Sequence, residues 1–95
     1  MFSKKNGVPK VSVILLSYNH AAYVSKAIES VLNQTFADFE FLIADDGSQD
    51  NSREIIKTFT DRRIKFFPHE INRGPLTVLS ECFKAAQGKY IAINH

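Results

Sequence analysis

An open parallel α/β sheet with helices on both faces is the fold class the sequence predicts, and three observations predict it. Short β-branched and aromatic runs alternate with segments whose apolar residues recur at helical spacing. The alternation continues along the chain as β-α-β-α-β-α-β, with no internal repeat and no low-complexity linker. Polar clusters, Gly and Pro punctuate the ends of the runs. Alternation of this kind implies right-handed crossovers that lay helices over a Rossmann-like parallel sheet. A length of 95 residues suits one domain or a piece of one.

Residues 1–10 read as a polar N-terminal tail, and residues 11–95 as the folded part. Val11 to Leu16 is β-branched and nearly continuous in apolar character, as in a strand covered on both faces. The cluster Ser17-Tyr18-Asn19-His20 stops it, and Val24, Ala27, Ile28, Val31 and Leu32 then mark the buried face of a first helix. Phe39, Phe41, Leu42 and Ile43 make a second buried strand, which ends in Asp45-Asp46-Gly47-Ser48. Asn51, with Glu54 three residues on, is expected to form a reciprocal cap over the start of a second helix. Ile64 to Phe67 reads as a third strand ended by Pro68, which cannot donate to a ladder. Pro75 suits the first position of a third helix, with Leu76, Leu79, Cys82, Phe83 and Ala86 along one side and Gly88 as its stop. Tyr90 to Ile93 is a fourth strand. In the order 3-2-1-4, the crevice between strands one and four is the switch point at which open α/β sheets bind ligands.

Composition excludes several function classes. The net charge of +2 and the thin spread of Lys4, Lys5 and Lys10 give no nucleic-acid arm. One cysteine, Cys82, leaves no internal disulfide, and no apolar run approaches the roughly 20 residues that a membrane span needs. The expected location is cytoplasmic, with peripheral membrane attachment through further sequence left open. His20, His69 and His95 are scattered, and no His/Cys spacing suits zinc. His20 and His69 read as surface or capping residues, and Asp61-Arg62-Arg63 as a solvated turn.

The turn after the first strand contains no glycine, so it offers no cradle for a pyrophosphate. What it does offer, beside two carboxylates at the end of strand two, is an aromatic ring and an amide. Tyr18 can stack on a nucleobase, and a carboxylate can accept from an imide N–H or a ribose hydroxyl. A turn-forming Asp-Gly is the plainer alternative.

Five segments carry a family resemblance: Val11 to Asn19, Ala27 to Thr35, Ile43 to Ser48, Asn72-Arg73-Gly74, and Ala86 to Ile91. Together, and in this order, they resemble the family-2 glycosyltransferases, and the likeness covers nearly all of the chain from Val11 onward. The resemblance implies the N-terminal, nucleotide-recognising half of an A-type glycosyltransferase fold. It implies a nucleotide-sugar donor, commonly UDP-linked, an inverting displacement, and a saccharide or lipid-linked acceptor. By the same resemblance Tyr18 borders the base, Asp46 hydrogen-bonds it, and Ser17, Asn19 and the less favoured Asp45 line the same pocket. Arg73 is a candidate pyrophosphate contact, because the arginine that the family often carries near Leu79 is missing.

The family's metal-binding Asp-x-Asp motif would begin at or just after His95, where this sequence stops, and its catalytic base lies beyond. A divalent cation, Mn or Mg, is therefore expected of a full-length enzyme, with no metal ligand and no catalytic residue among residues 1–95. Those residues alone are expected to be inactive. A non-catalytic nucleotide-binding module and an interaction module that self-associates through an exposed sheet edge are the alternatives.

Overall fold

The computed structural model describes residues 8–94. Of the expected tail, residues 1–7 lie outside the described residues, as does His95. Four strands, β1 (Val11–Ser17), β2 (Phe39–Asp46), β3 (Ile64–His69) and β4 (Tyr90–Asn94), alternate with helices α1 (Ala21–Leu32), α2 (Ser52–Lys57) and α3 (Pro75–Ala85). The sheet order is β3-β2-β1-β4, and each of its three pairings is parallel.

Strand alternation divides the core in two. Val13 and Leu15 of β1 join Phe39, Phe41 and Ile43 of β2 under Val24, Ala27, Ile28 and Val31 of α1 and Ile56 of α2. On the opposite face Ile14, Leu42 and Ala44 meet Val78 and Cys82 of α3. β2 is central and buried at every position, which is why its sequence shows no alternation.

Four local expectations require correction. β3 runs through Pro68 to His69 instead of stopping before the proline. The carbonyl of Arg63 accepts from Phe41 N, so residues 63, 65, 67 and 69 turn their backbone groups toward β2. The missing N–H of Pro68 therefore falls on the free side of an edge strand, where no ladder bond is lost. Asn51 makes no side-chain cap; Asp50 Oδ1 accepts from Ser52 N at 2.9 Å and from the Ser52 hydroxyl instead. The buried stripe of α3 is Val78 and Cys82, whereas Leu76 is 81% exposed and Phe83 is also exposed. Gly88 lies beyond the helix end, and its role is close approach: a Cβ there would sit 2.5 Å from Ser12 N.

An ion pair between buried Glu40 and exposed Lys65 braces the N-terminal end of the sheet. Glu40 of β2 accepts from Lys65 Nζ at 2.7 Å, from Gln87 N at 2.6 Å and from the Ser12 hydroxyl. Burial pushes the Glu40 carboxyl upward, but these donors outweigh it and hold the group below its ordinary range.

Nearby, the Asp61-Arg62-Arg63 turn is more structured than expected, because Arg63 folds back on Asp61 at 2.8 Å and lies over the Phe39 ring. The Arg63 side-chain hydrogen bonds, followed by its backbone N–H, lower the Asp61 carboxyl to about 2. A depressed carboxyl stabilises the fold above its unfolded pKa and loses that effect as pH falls through the folded value. Asp61→Asn is therefore expected to cost about 1 kcal/mol at neutral pH, after allowance for solvent screening. The cost should shrink as pH falls from about 4 toward 2. Urea denaturation of the wild type and variant across that range checks it.

Candidate nucleotide-binding site

The loops after β1 and β2 are built as one unit, and Asp45 is its hub. The last residue of β1, Ser17, lies in register with Asp45, and both are buried. Ser17 Oγ donates to Asp45 Oδ1 at 3.1 Å; Ser48 N donates to Asp45 Oδ2 at 2.9 Å, and the Ser48 hydroxyl donates to Oδ1. Ser48 Oγ in turn accepts from Asn19 N at 2.8 Å, while Asn19 Oδ1 accepts from Gln49 N at 2.8 Å. Asn19 adopts a left-handed backbone, φ 53°, a conformation that asparagine tolerates better than most residues. The loop is thus turned so that Tyr18 projects outward, 45% exposed.

Asp46, one residue on, faces the α3 side. Its Oδ1 accepts from Arg73 N at 2.7 Å and its Oδ2 from Gly74 N at 3.0 Å. Asn72 Nδ2 donates to the Asp46 carbonyl oxygen at 3.1 Å. The segment before α3 is therefore stapled to the end of β2. Each carboxylate oxygen, with one backbone donor, keeps acceptor capacity for a further partner.

Between these elements opens a pocket of about 240 Å³. Leu16, Pro75 and Val78 give it an apolar lining; Ser17, Tyr18, His20, Asp46 and Asn72 supply its polar groups. A mostly apolar concavity with a few convergent polar groups is the usual form of a small-molecule site. Of the six residues expected at the site, Ser17, Tyr18 and Asp46 line this pocket. Asn19 and Asp45 stand behind it as loop braces. Arg73 touches Asp46 through its backbone, and its side chain is exposed outside the lining. Sequence reasoning missed His20, Asn72, Pro75 and Val78 as pocket residues. Their signal was the turn before a helix that starts with proline, and the polar cluster that ends β1.

The loop after β1 lines the pocket together with Asp46, as expected of the switch-point crevice. Among the described residues none of β4 lines the pocket, which sits over the ends of β1 and β2 beneath the start of α3.

Among the described residues no three His, Cys, Asp or Glu side chains converge to hold a metal ion. Both oxygens of Asp45 and both of Asp46 are engaged by hydrogen-bond donors. With no convergent third ligand among the described residues, these groups do not by themselves make a divalent-cation site, and the account of the site rests on the protein groups alone. Among the described residues no helix is long and apolar enough to cross a membrane.

A parallel sheet of this order, with helices packed on both faces, defines an open, Rossmann-like α/β class of fold. The sequence profile of Glycosyl transferase family 2 matches residues 12–95, and the chain belongs to that family. It is 42% identical over 82 residues to UDP-Glc:alpha-D-GlcNAc-diphosphoundecaprenol beta-1,3-glucosyltransferase WfgD of Escherichia coli, covering 86% of this chain and 32% of that protein. It is 37% identical over 89 residues to the putative teichuronic acid biosynthesis glycosyltransferase TuaG of Bacillus subtilis, covering 92% of this chain and 35% of that one. The chain thus spans about a third of the length of either relative.

Among solved structures, S. aureus TarS in complex with UDP-GlcNAc superposes with a TM-score of 0.81 at 28% identity, over 88% of this chain and 25% of that chain. The mannosyltransferase PcManGT of Pyrobaculum calidifontis, in complex with GDP-Man and Mn2+, gives 0.76 at 22% identity, over 88% and 26%. The fold is the N-terminal, Rossmann-like half of an A-type glycosyltransferase.

Proposed function

We propose that the pocket binds the nucleobase end of a nucleotide-sugar donor, with uridine diphosphate sugars as the donor class. The chain then supplies the donor-recognition part of an inverting glycosyltransferase acting on a saccharide or lipid-linked acceptor. The observation that carries this reading is Asp46: an acceptor-only group, fixed by two backbone N–H groups, at the rim of an apolar pocket beside Tyr18. An ionised carboxylate selects a ligand edge that donates, such as an imide N–H. The Tyr18 ring offers a stacking face, and Asn19 and Asp45 act as positioning residues that set its angle. The exposed guanidinium of Arg73 is the candidate contact for the diphosphate. The printed names of the relatives are consistent with this donor class, since WfgD is named for UDP-Glc and TarS was solved with UDP-GlcNAc.

In the whole enzyme, transfer is a single displacement at the anomeric carbon. One carboxylate would take the acceptor proton, and a divalent cation, when bound by residues outside this chain, would supply Lewis-acid stabilisation to the leaving diphosphate. The carboxylates described here serve neither task, so residues 1–95 alone are proposed to bind the donor without transferring its sugar. The cytoplasmic face is where such a donor would be met. Titration of uridine diphosphate into the wild-type chain and into Asp46→Asn tests the reading: the variant should bind at least about tenfold more weakly.

A further inference from the structure

We infer that His20 is a specificity-determining residue of this pocket, the donor that fixes the register in which a pyrimidine base meets Asp46. The inference rests on the nucleotide-binding reading above and adds a second reading group to it. His20 lines the same concavity as Tyr18 and Asp46. Its backbone is locked, with its N–H donated to Ser52 Oγ at 3.0 Å and its carbonyl oxygen accepting from Val24 N at 2.8 Å at the start of α1. Its ring is held edge-on to Tyr23, with centroids 5.6 Å apart.

Apart from the Tyr18 hydroxyl and the second N–H of Asn72, the other polar side chains of the pocket are committed. Ser17 gives its hydroxyl proton to Asp45, Asn72 gives an amide N–H to the Asp46 carbonyl oxygen, and an ionised Asp46 has no proton to give. The His20 ring makes no hydrogen bond among the described residues, and an imidazole N–H is a donor in either tautomer. A base edge that places an N–H on Asp46 presents a neighbouring acceptor, and an acceptor drawn partly out of water on binding is stabilised by a donor beside it.

Asp46 alone cannot tell the ring N–H of uracil from the amino N–H of cytosine. A second contact can, because the acceptor beside the uracil N–H is an exocyclic carbonyl, whereas beside the cytosine amino group it is a ring nitrogen. The two bases satisfy both contacts only in different positions, and the walls formed by Pro75 and Val78 restrict which position is available.

The test uses the 95-residue chain and two probes, UMP and CMP, followed by heteronuclear NMR. The wild type should prefer UMP by about tenfold. His20→Phe keeps the edge contact with Tyr23 but removes the ring nitrogens; it should lose about tenfold in UMP affinity and bring the two nucleotides within about twofold. His20→Gln retains an N–H donor and should recover most of the preference. In the wild type, the ring resonances of His20 should move with UMP and not with ribose 5-phosphate, a readout that needs no variant to fold. Unchanged UMP affinity and preference in His20→Phe, or a silent His20 ring, overturns this inference alone. Failure of the wild type to bind either nucleotide overturns the underlying reading along with it.

Discussion

Asp45→Ala is expected to cost about 4 kcal/mol, close to the whole stability of a domain of this size. The carboxylate is fully buried and accepts from the Ser17 hydroxyl, the Ser48 hydroxyl and the Ser48 amide. Truncation leaves those donors without an acceptor in a site that water does not reach, and each such group costs about 1–3 kcal/mol. Because Ser48 also holds the amide of Asn19, the loop that presents Tyr18 loses its anchor in the same step. Urea denaturation, or the fraction folded at room temperature, measures the effect. A loss below about 1 kcal/mol would show that the hub is dispensable.

Gly47→Ala should be nearly as damaging, at about 3 kcal/mol, for a different reason. Gly47 sits at φ 75°, where a side chain is strained, and an added Cβ would lie 2.5 Å from Asn72 N and 2.8 Å from Ile71 C. Backbone, not a flexible side chain, would have to move, and it is the backbone that carries Asn72 to the pocket wall. Gly74 provides the control. Its φ is 93°, but nothing lies within 4 Å of an added Cβ, so Gly74→Ala bears the conformational cost alone, about 1–2 kcal/mol. The same urea series should rank Gly47→Ala clearly above Gly74→Ala; equal losses would mean that close packing of the two loops adds nothing.

The central sheet was legible because its determinants are local. β1 and β2 are apolar at consecutive positions, and only a strand covered on both faces uses such a run. α1 was equally plain, since Val24, Ala27, Ile28 and Val31 fall on one face at the spacing of a helix. Errors gathered where tertiary contacts decide. Pro68 was judged by its missing N–H, but which side of the strand that group faces depends on the register with β2. Of the expected α3 stripe, Leu79, Cys82 and Ala86 do pack into the core, but Leu76 was included and Val78 left out, because the two look alike until the packing partner is known. Gly88 was read as a helix stop, whereas the close approach of Ser12 is a contact 76 residues away in sequence.

The candidate site divides in the same way. Tyr18 and the Asp45-Asp46 pair stood out as an aromatic and carboxylates at strand ends, and the family resemblance then favoured Asp46. The different duties of two adjacent aspartates could not be read, since alternation sends Asp45 to the α1 side and Asp46 to the α3 side. His20 was hidden for a related reason: the nearest cue was a polar cluster, and only the fold brings it beside Asp46 and Val78.

The most direct test of the account is calorimetric titration of uridine diphosphate into the folded chain, repeated with Asp46→Asn. The amide keeps the size of the carboxylate but replaces one acceptor by a donor, opposing either the backbone N–H groups or the ligand. The account predicts saturable binding by the wild type and a loss of at least about tenfold in the variant, with both chains folded by circular dichroism. Equal affinities, or no binding by a folded wild-type chain, would contradict it.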